Sequence, residues 1–439
     1  MSSMSNWETA SGTIFLYDKN IKSSKKNERL GNLIQDEAES QWQYKAVEDL
    51  KKALEQANFV ITSTQDPPSE TFVHDLKIPK RYGIYQSVGD TVGPGGALRA
   101  MRSVPQYQDI ADSIRQYCPD AWVINYSNPM SVIIRTLYAE YPGIKAIGIC
   151  NEVYHIKKYL TELLKESQDK NAVVSEVDAN ILGINHFTWA DRITWKNNDI
   201  SELLINKLDS FQPANKLRAG DLSDDGYFVN NHHVFYDLLD KFKLIPFASD
   251  RHLAEFVPWY LEIERPERIH RWGFRLTPAE YRDFWERAEA ERDSYVSGNK
   301  ELEVDTSEDS TVNILRAISG EGKFKTNINY PNIGQMPALP NQSIVETNAY
   351  ISRDNIDVPI AGKLPRQVRN IAKTHILNQN TLVEAGLSGD VDQAYTAFVN
   401  DPLITLNSHD SRNLFSELIR TQESYLEGWN LDSATVIEQ

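Results

Sequence analysis

The sequence has little cysteine, no long apolar run and a deficit of positive charge, and each of these absences excludes a class of protein. Cys118 and Cys150 are the only cysteines among 439 residues, too few for a disulfide framework. No apolar run reaches the length of a membrane span and no signal peptide heads the chain, so we expect a cytoplasmic protein that does not bind membranes. The net charge of −16 argues against nucleic acid as a partner, although clustered arginines can still bind a small anionic molecule.

The length and the hydrophobic pattern together predict two domains. A chain of 439 residues is longer than a single core usually supports. Strand and helix patterns alternate up to the region of residues 180–200, and one of the predicted helices covers residues 44–56. Beyond that region, polar loops, short strands and long helices follow without regular spacing. We therefore predict an α/β fold, with a Rossmann-like parallel sheet in residues 1–185 and a second, α+β domain in residues 186–439.

Three buried strands are predicted to end in polar residues. The apolar runs at 121–126, 144–149 and 178–184 lead to Asn128, to Cys150 and to Asn185 and His186. Ligands of open α/β sheets bind beyond the carboxyl ends of the strands, so we expect these side chains at one edge of one sheet. A thiolate and an imidazole suit a divalent metal, with zinc favoured by the side chains alone. The alternative is that Cys150 and His186 are ordinary core residues.

Two further segments are rich in polar groups or glycine. Residues 249–256, SDRHLAEF, contain Asp250 and His252, which could act as general base or acid if the segment folds over the site. The alternative is a helix N-cap with a solvated charged turn. Residues 89–96, GDTVGPGG, form either a backbone cradle for a ligand or a structural turn.

The N-terminal part carries an incomplete pattern for dinucleotide binding. Residues 13–17 predict a strand that ends at Asp18, the position at which an acidic residue would bind an adenosine ribose. The alternative is that Asp18 is a turn residue. Residues 58–63 predict a strand whose end, at Ser63 and Thr64, could border the nicotinamide. The glycine-rich loop that should precede residue 13 is absent, because Gly12 stands alone.

Six motifs together resemble the family 4 glycoside hydrolases. They are, in order along the chain, GDTVGPGG, NYSNPMS, GICN, GINHFTW, SDRHLAEF and IVETNA. The resemblance extends from about residue 11 to about residue 400 and is greatest to the α-galacturonidase branch, through YGIYQSVGDTVGPGG and DRHLAEF. It implies an enzyme that cleaves an α-galacturonide with NAD and a divalent metal, usually Mn²⁺, as a homodimer or homotetramer. The C3 hydroxyl would be oxidised by hydride transfer to NAD⁺, the C2 proton removed and the glycosidic oxygen eliminated. Water would then add to the double bond, and the hydride would return to C3.

The resemblance also implies roles for individual residues. The metal ligands would be Cys150 and His186, and the catalytic group would comprise Asp250 as the base at C2, with Asn151 and His252. Substrate contacts would come from Asn128, from Asn185 and from Arg251, the last as a partner for the uronate carboxylate. Cofactor contacts would come from Asp18, Ser63 and Thr64.

The sequence departs from the family pattern at two places. Asn151 stands where α-galacturonidase-like members of the family have histidine, near the departing oxygen. The resemblance therefore does not determine how the leaving group is protonated, nor the anomer or the substrate. The first strand and its GGGS-type loop are missing, so we expect the strands at 13–17 and 58–63 to have unpaired edges. We also expect NAD⁺ binding weaker by about 3–9 kcal/mol, the equivalent of two or three charge-assisted hydrogen bonds.

Three other functions fit parts of the pattern. Another family 4 glycosidase would act on a glucoside, a galactoside or a 6-phospho-β-glucoside. The alternation of strands and helices alone would also permit an NAD-dependent hydroxy-acid dehydrogenase, and the missing loop would permit a sugar-binding protein without a cofactor. A glycosidase of this family would consume no net NAD⁺, which separates it from a dehydrogenase.

Overall fold

The protein is a mixed α/β structure, as predicted. The computed structural model describes residues 4, 7, 10–64, 69–210, 230–261, 271–277, 282–302 and 310–432. The strands are β1 Gly12–Tyr17, β2 Trp42–Val47, β3 Phe59–Thr62, β4 Trp122–Asn125, β5 Lys145–Gly148, β6 Val177–Ile184, β7 Phe187–Trp195, β8 Asn198–Asp199, β9 Ile245–Pro246, β10 Phe324–Pro331, β11 Ile344–Ser352 and β12 Asn355–Asp357.

Helices connect these strands and dominate the C-terminal part. They are α1 Ile21–Glu37, α2 Leu50–Leu54, α3 Ser69–Arg81, α4 Gly93–Tyr117, α5 Met130–Glu140, α6 Glu152–Ser167, α7 Ser201–Ser210, α8 His233–Phe242, α9 Asp250–Phe256, α10 Arg282–Val296, α11 Ser310–Ser319, α12 Arg366–Ser388, α13 Val391–Val399 and α14 Ser408–Thr421. None of the described helices is both long and apolar enough to cross a membrane.

The larger sheet has six strands in the order β12-β11-β10-β5-β4-β3. Its β3, β4 and β5 strands are parallel, whereas β10, β11 and β12 add in antiparallel orientation. Every residue of β4 is buried, as expected for a strand with helices on both faces. The strands predicted at 121–126 and 144–149 are therefore confirmed as β4 and β5. Because β10, β11 and β12 come from the second half of the chain, this sheet joins the two predicted domains, whose boundary stays a prediction.

The N-terminal strands form a separate two-stranded sheet. β1 pairs with β2 in parallel, and neither pairs with the larger sheet. Within the described residues β3 pairs only with β4, so one edge of β1 and one of β3 are unpaired, as predicted. The prediction of a helix at 44–56 was wrong, because residues 42–47 form β2 and only Leu50–Leu54 is helical. Here Tyr44 and Val47 are buried, Tyr44 lies against Gly31 of α1, and pairing with β1 outweighs the weak helical periodicity.

A second, antiparallel sheet contains β6, β7, β8 and β9. The strand predicted at 178–184 is confirmed as β6, but it belongs to this sheet and not to the sheet of β4 and β5. The expectation that Asn128, Cys150 and His186 share one edge of one sheet was therefore wrong. β6 instead packs beside β11, where the Asn348 amide donates a 2.7 Å hydrogen bond to the Ala179 carbonyl. The residues that follow β4, β5 and β6 consequently meet between two sheets.

Candidate active site

Three ligand-type side chains meet near the ends of the two sheets. Ligand atoms of Asp90, His186 and His252 all lie within 4.8 Å of one another. Asp90 lies in the loop before α4, His186 in the turn between β6 and β7, and His252 in the first turns of α9. Asp90 Oδ1 is 3.8 Å from His186 Nδ1, and the two imidazole centroids are 3.7 Å apart. One carboxylate oxygen and two imidazole nitrogens form a donor set that suits a divalent cation.

His186 owes its position to the tight turn between two strands. Ile184 and Phe187 are paired neighbours in the β6–β7 ladder, which leaves Asn185 and His186 as the turn. His186 has a φ of 67°, in the left-handed region that non-glycine residues rarely occupy. Its Nδ1 lies 2.9 Å from the Thr91 hydroxyl, and burial, followed by the nearby His252, lowers its pKa to about 4. The imidazole is therefore neutral at pH 7, the form that binds a metal.

His252 is held by a buried carboxylate on α6. Its Nδ1 lies 3.3 Å from Glu152 Oε2 and 2.9 Å from the Ser249 hydroxyl. The same Glu152 oxygen accepts a 2.5 Å hydrogen bond from the Ser249 amide. Burial favours the neutral imidazole, but the Glu152 carboxylate outweighs it and raises the pKa of His252. Burial likewise opposes ionisation of Glu152, whose pKa is nonetheless lowered, mainly by His252.

Asn128 and Arg99 extend this cluster toward α4. The Asn128 amide donates a 2.9 Å hydrogen bond to Asp90 Oδ2, and the Asn128 carbonyl accepts a 3.0 Å hydrogen bond from Arg99 Nε. Burial would raise the pKa of Asp90, but His186, then Arg99 and His252, lower it to about 2. Asp90 is therefore ionised at neutral pH. Asn128 Oδ1 is buried and has no hydrogen-bond partner in the described part of the chain.

Cys150 lies beside the cluster but outside the three-residue group. It lies two residues after the end of β5, and its thiol is hydrogen-bonded to the Asn185 side chain. Burial, and then the carboxylates of Glu346 and Glu152, raise the pKa of Cys150 well above its ordinary value. Asn185 Nδ2 donates a 3.3 Å hydrogen bond to Glu346 Oε2, whereas its Oδ1 is buried without a partner among the described residues. Thiolate character would consequently require a cation at this position.

Asp250 and Arg251 are committed to the scaffold. The two oxygens of Asp250 accept hydrogen bonds from the backbone amides of His233, at 2.7 Å, and Phe235, at 2.9 Å, at the start of α8. Asp250 is fully buried, and burial raises its pKa to about 7. The Arg251 guanidinium donates to the Ser87 carbonyl, from Nε at 3.0 Å, and to the Thr277 hydroxyl. The alternative of a helix N-cap with a solvated charged turn holds only in part, because Asp250 caps α8 and not its own helix, and the charged turn is buried.

The glycine-rich loop at 89–96 packs against protein. The amides of Val88 and Gly89 donate to Glu255 Oε1, at 2.7 and 2.8 Å, and that of Gly95 donates to Gln86 Oε1 at 2.8 Å. A Cβ on Gly95 would lie 2.6 Å from the Gly89 carbonyl oxygen, and one on Gly96 would lie 2.4 Å from the Thr91 carbonyl carbon. The glycines therefore permit close packing of the backbone, and these three amides are not free to bind a phosphate.

The remaining predicted residues lie at strand and helix ends. Asn151 is exposed at the N-terminal end of α6, next to Cys150. Asp18 is exposed after β1, and its Oδ1 accepts a 2.6 Å hydrogen bond from the Asn20 amide, which matches the turn alternative. Ser63 is exposed after β3, and the Thr64 amide donates a 2.7 Å hydrogen bond to the Ser127 hydroxyl. The end of β3 therefore adjoins the loop that carries Asn128.

Sequence reasoning missed four charged residues of the site. Asp90 lies inside a motif that was singled out only for its glycines, Glu346 inside IVETNA, and Glu152 directly after GICN. Arg99 carries no such signal in the sequence; it is only partly exposed, and its Nε donates a hydrogen bond to the Asn128 carbonyl. An acidic residue inside or beside each of three motifs was the available signal for the carboxylates.

The site offers metal donors and polar groups for a sugar. The Asp90, His186 and His252 group fits a divalent cation by its donor atoms, and the unpartnered oxygens of Asn128 and Asn185 fit sugar hydroxyl donors. For the dinucleotide, Ser63 and Thr64 lie at the end of β3, as predicted, whereas Asp18 follows β1 in the separate two-stranded sheet and is bonded within a turn. In the loop at 89–96, the amides of Gly89, Gly93, Gly95 and Gly96 are bonded to protein and are not available to a pyrophosphate.

Comparisons with known proteins identify relatives over nearly the whole chain. The model of the "Family 4 glycosyl hydrolase" matches residues 1–166, and that of the "Family 4 glycosyl hydrolase C-terminal domain" matches residues 181–404. An alpha-galacturonidase of Thermoanaerobacter italicus is 38% identical over 432 residues, which is 98% of this chain and 94% of the relative. The crystal structure of lplD from Bacillus subtilis superimposes with a TM-score of 0.86 at 40% identity, covering 95% of this chain and 96% of that one.

A more distant structure shares the fold. The 6-phospho-beta glucosidase of Thermotoga maritima, solved with manganese, NAD⁺ and glucose-6-phosphate, superimposes with a TM-score of 0.77 at 17% identity. The alignment covers 97% of this chain and 95% of that one. At this identity the likeness concerns the fold alone.

Proposed function

Because the chain belongs to family 4 of the glycosyl hydrolases and is therefore a glycosidase, we propose that it is an α-galacturonidase that uses NAD and a divalent metal. The substrate would be an α-glycosiduronic acid. Its C3 hydroxyl would be oxidised, its C2 proton removed and its glycosidic oxygen eliminated, after which water adds at C1 and C3 is reduced again. NAD⁺ would supply a reversible hydride acceptor, and a metal such as Mn²⁺ would supply a Lewis acid.

The observation that carries this proposal is the group of Asp90, His186 and His252 beside Asn128. Two-carboxylate glycosidases place a pair of acids across the scissile bond. Here Asp90 is next to two imidazoles, and its lowered pKa suits a permanent anion and not a proton donor. The residues fit cation binding at a sugar site better than direct acid catalysis. The high identity to an alpha-galacturonidase supports the choice of substrate.

We assign binding roles to the side chains around this group. His186 and Cys150 remain our predicted metal ligands, and Asp90 and His252 join them by their proximity to His186. Glu152 orients His252 through its 3.3 Å contact with Nδ1. Asn128 and Asn185 each present a buried, unpartnered oxygen that can accept a hydrogen bond from a sugar hydroxyl.

Two of the predicted catalytic residues receive other roles. Asp250 binds the amides at the start of α8, so we propose that it positions α8 beside the site and does not remove the C2 proton. Asn151 is exposed next to Cys150, where an amide can donate a hydrogen bond to the departing oxygen but cannot transfer a proton. The cofactor contacts of Asp18, Ser63 and Thr64 and the homo-oligomeric state stay predictions.

Hydrolysis of an α-galacturonide in D₂O tests the reaction course. With NAD⁺ and Mn²⁺ present, we expect the released galacturonate to carry deuterium at C2, because the C2 proton exchanges with solvent before water adds. We also expect no net formation of NADH, because the hydride returns to C3. Mass spectrometry of the product and absorbance at the NADH band measure the two quantities.

The controls separate this proposal from its alternatives. Asp90→Asn should abolish turnover, whereas Asp112→Asn, an exposed site on α4, should not change it. Product without deuterium at C2 would contradict the elimination course, and stoichiometric NADH would indicate a dehydrogenase. Binding of galacturonate without any turnover under these conditions would indicate a sugar-binding protein.

A further inference from the structure

Arg99 is a cation at the site whose guanidinium is largely uncommitted. It lies in the second turn of α4, partly exposed, and its Nε donates a 3.0 Å hydrogen bond to the Asn128 carbonyl. In the part of the chain that the structure describes, this is its only hydrogen bond, and no carboxylate lies within ion-pair distance of it. The two terminal amino groups therefore carry donors without protein acceptors.

The other arginines of α4 and α9 near the site are not available in the same way. Arg102, three residues further along α4, is buried and forms an ion pair with Asp75, with Nη2 2.7 Å from Oδ2. Arg251 on α9 is buried with its guanidinium on the Ser87 carbonyl. Of these three arginines, Arg99 alone combines partial exposure, contact with Asn128 and donors without a protein partner.

The position of Arg99 relates it to the sugar. Asn128, whose carbonyl holds Arg99 Nε, donates through its side chain to Asp90 Oδ2, and Asp90 belongs to the three-residue group with His186 and His252. Arg99 is therefore hydrogen-bonded to the backbone of Asn128, the residue whose side chain is the proposed sugar contact. An anionic substrate must also overcome the −16 net charge of the chain, which requires a local cation. A guanidinium with both terminal amino groups free matches a carboxylate, which it can bind in a bidentate manner.

We propose that Arg99 binds the C6 carboxylate of the glycosiduronate and selects this substrate over the corresponding neutral sugar. This assignment rests on the proposed function. The neutral galactoside has a CH₂OH group in place of the carboxylate and offers no charge to the guanidinium. A nearby phosphate of the cofactor is the other anion that Arg99 could bind, and the experiment below distinguishes the two.

The test compares three variants on two substrates. Arg99→Met removes the charge at similar length, Arg99→Lys keeps the charge but loses the planar fork, and Arg115→Met removes a charge from an exposed position of the same helix. We expect Arg99→Met to lower kcat/KM for an α-galacturonide by about 100-fold or more and to change that for the α-galactoside by no more than about threefold. For Arg99→Lys, kcat/KM for the α-galacturonide should lie between the values of the wild type and Arg99→Met. For Arg115→Met it should equal the wild-type value.

Calorimetry with galacturonate, with galactose and with NAD⁺ completes the test. We expect Arg99→Met to weaken galacturonate binding while galactose and NAD⁺ binding stay as in the wild type. The assignment would be overturned if Arg99→Met lost affinity equally for both sugars, or lost affinity for NAD⁺ alone. Thermal unfolding of each variant checks that the Asn128 loop is intact, and Arg99→Lys provides a second measurement if Arg99→Met is unstable.

Failure of the proposed function and failure of the Arg99 assignment give different results. If the wild type cleaves the galactoside and not the galacturonide, the proposed substrate is wrong. If the wild type prefers the galacturonide and Arg99→Met keeps that preference, the substrate is right and the assignment of Arg99 is wrong.

Discussion

Replacing Glu255 should reveal how the loop that carries Asp90 is held. Glu255 lies on α9 and is buried, and its Oε1 accepts both amide hydrogen bonds from Val88 and Gly89. Burial, together with the nearby Asp90, raises its pKa to about 8, so the group is neutral at pH 6. Glutamine retains the accepting oxygen and matches the neutral acid in shape, whereas alanine leaves both amides without an acceptor.

The expected loss follows from these two amides. A buried donor left without a partner costs roughly 1–3 kcal/mol, so Glu255→Ala should lower the free energy of unfolding by roughly 2–6 kcal/mol at pH 4, where Glu255 is largely protonated in both the folded and the unfolded chain. Glu255→Gln should stay within about 1 kcal/mol of the wild type at pH 4, because it keeps both hydrogen bonds. Metal affinity should fall in the alanine variant as well, since Asp90 directly follows Gly89.

The pH dependence supplies an independent check. The folded-state pKa of about 8 lies above the ordinary value of 4.5, so the folded protein binds the proton more tightly than the unfolded chain. The contribution of Glu255 to the free energy of unfolding is therefore fully present at low pH, below the unfolded-state pKa, and is lost as the pH rises toward and through 8. Glutamine does not titrate, so Glu255→Gln should gain stability relative to the wild type between pH 6 and pH 9.

Urea unfolding followed by circular dichroism measures these differences. Glu162→Gln on α6 is the control, because among the described residues the exposed Glu162 carboxylate is paired only with Lys165. Loss of this pair should change the free energy of unfolding by less than about 0.5 kcal/mol. The reasoning is refuted if Glu255→Ala unfolds at the wild-type urea concentration at pH 4. It is also refuted if Glu255→Gln is as unstable as Glu255→Ala, or if its difference from the wild type does not change with pH.

Three further predictions concern the metal, the substrate and the loop. Cys150→Ser should abolish Mn²⁺-dependent turnover without a change in thermal unfolding, because serine is a poor ligand at neutral pH; full activity at the same Mn²⁺ concentration would exclude Cys150 as a ligand. The enzyme should cleave an α-galacturonide faster than a 6-phosphorylated glycoside, and comparable rates in a competition assay would contradict the uronate preference. Gly96→Ala should lower the free energy of unfolding by about 1–3 kcal/mol, because the new Cβ would lie 2.4 Å from the Thr91 carbonyl carbon. An unchanged unfolding midpoint would contradict this and show that the backbone shifts to accommodate the methyl group.

Local sequence pattern determined the central strands and the residues that follow them. The apolar runs at 121–126 and 144–149 became β4 and β5, with Asn128 and Cys150 within three residues of the strand ends. Such runs are decisive because a strand covered on both faces has to be apolar throughout. The resemblance carried by six short motifs also led from the sequence to the family, which the comparisons confirm.

Pairing between distant segments decided what local pattern could not. The periodicity of residues 44–56 predicts a helix, yet hydrogen bonds to β1 made residues 42–47 a strand. Likewise β6 reads as one more buried strand of the first sheet, whereas its pairing with β7 placed it in a second sheet. Strand pairing depends on which edges meet in space, and a single segment does not encode that choice.

Tertiary structure alone decided which charged residues belong to the site. Asp90 and His186 are almost a hundred residues apart in the sequence and are brought to 3.8 Å by the packing of two sheets. Arg99 and Arg251 are equivalent as sequence, but one retains free donors beside Asn128 while the other is committed to the Ser87 carbonyl. The sequence determined which chemical groups were present near the strand ends. Their burial and their partners, which set their pKa values and their freedom to bind a ligand, arose only when distant elements packed together.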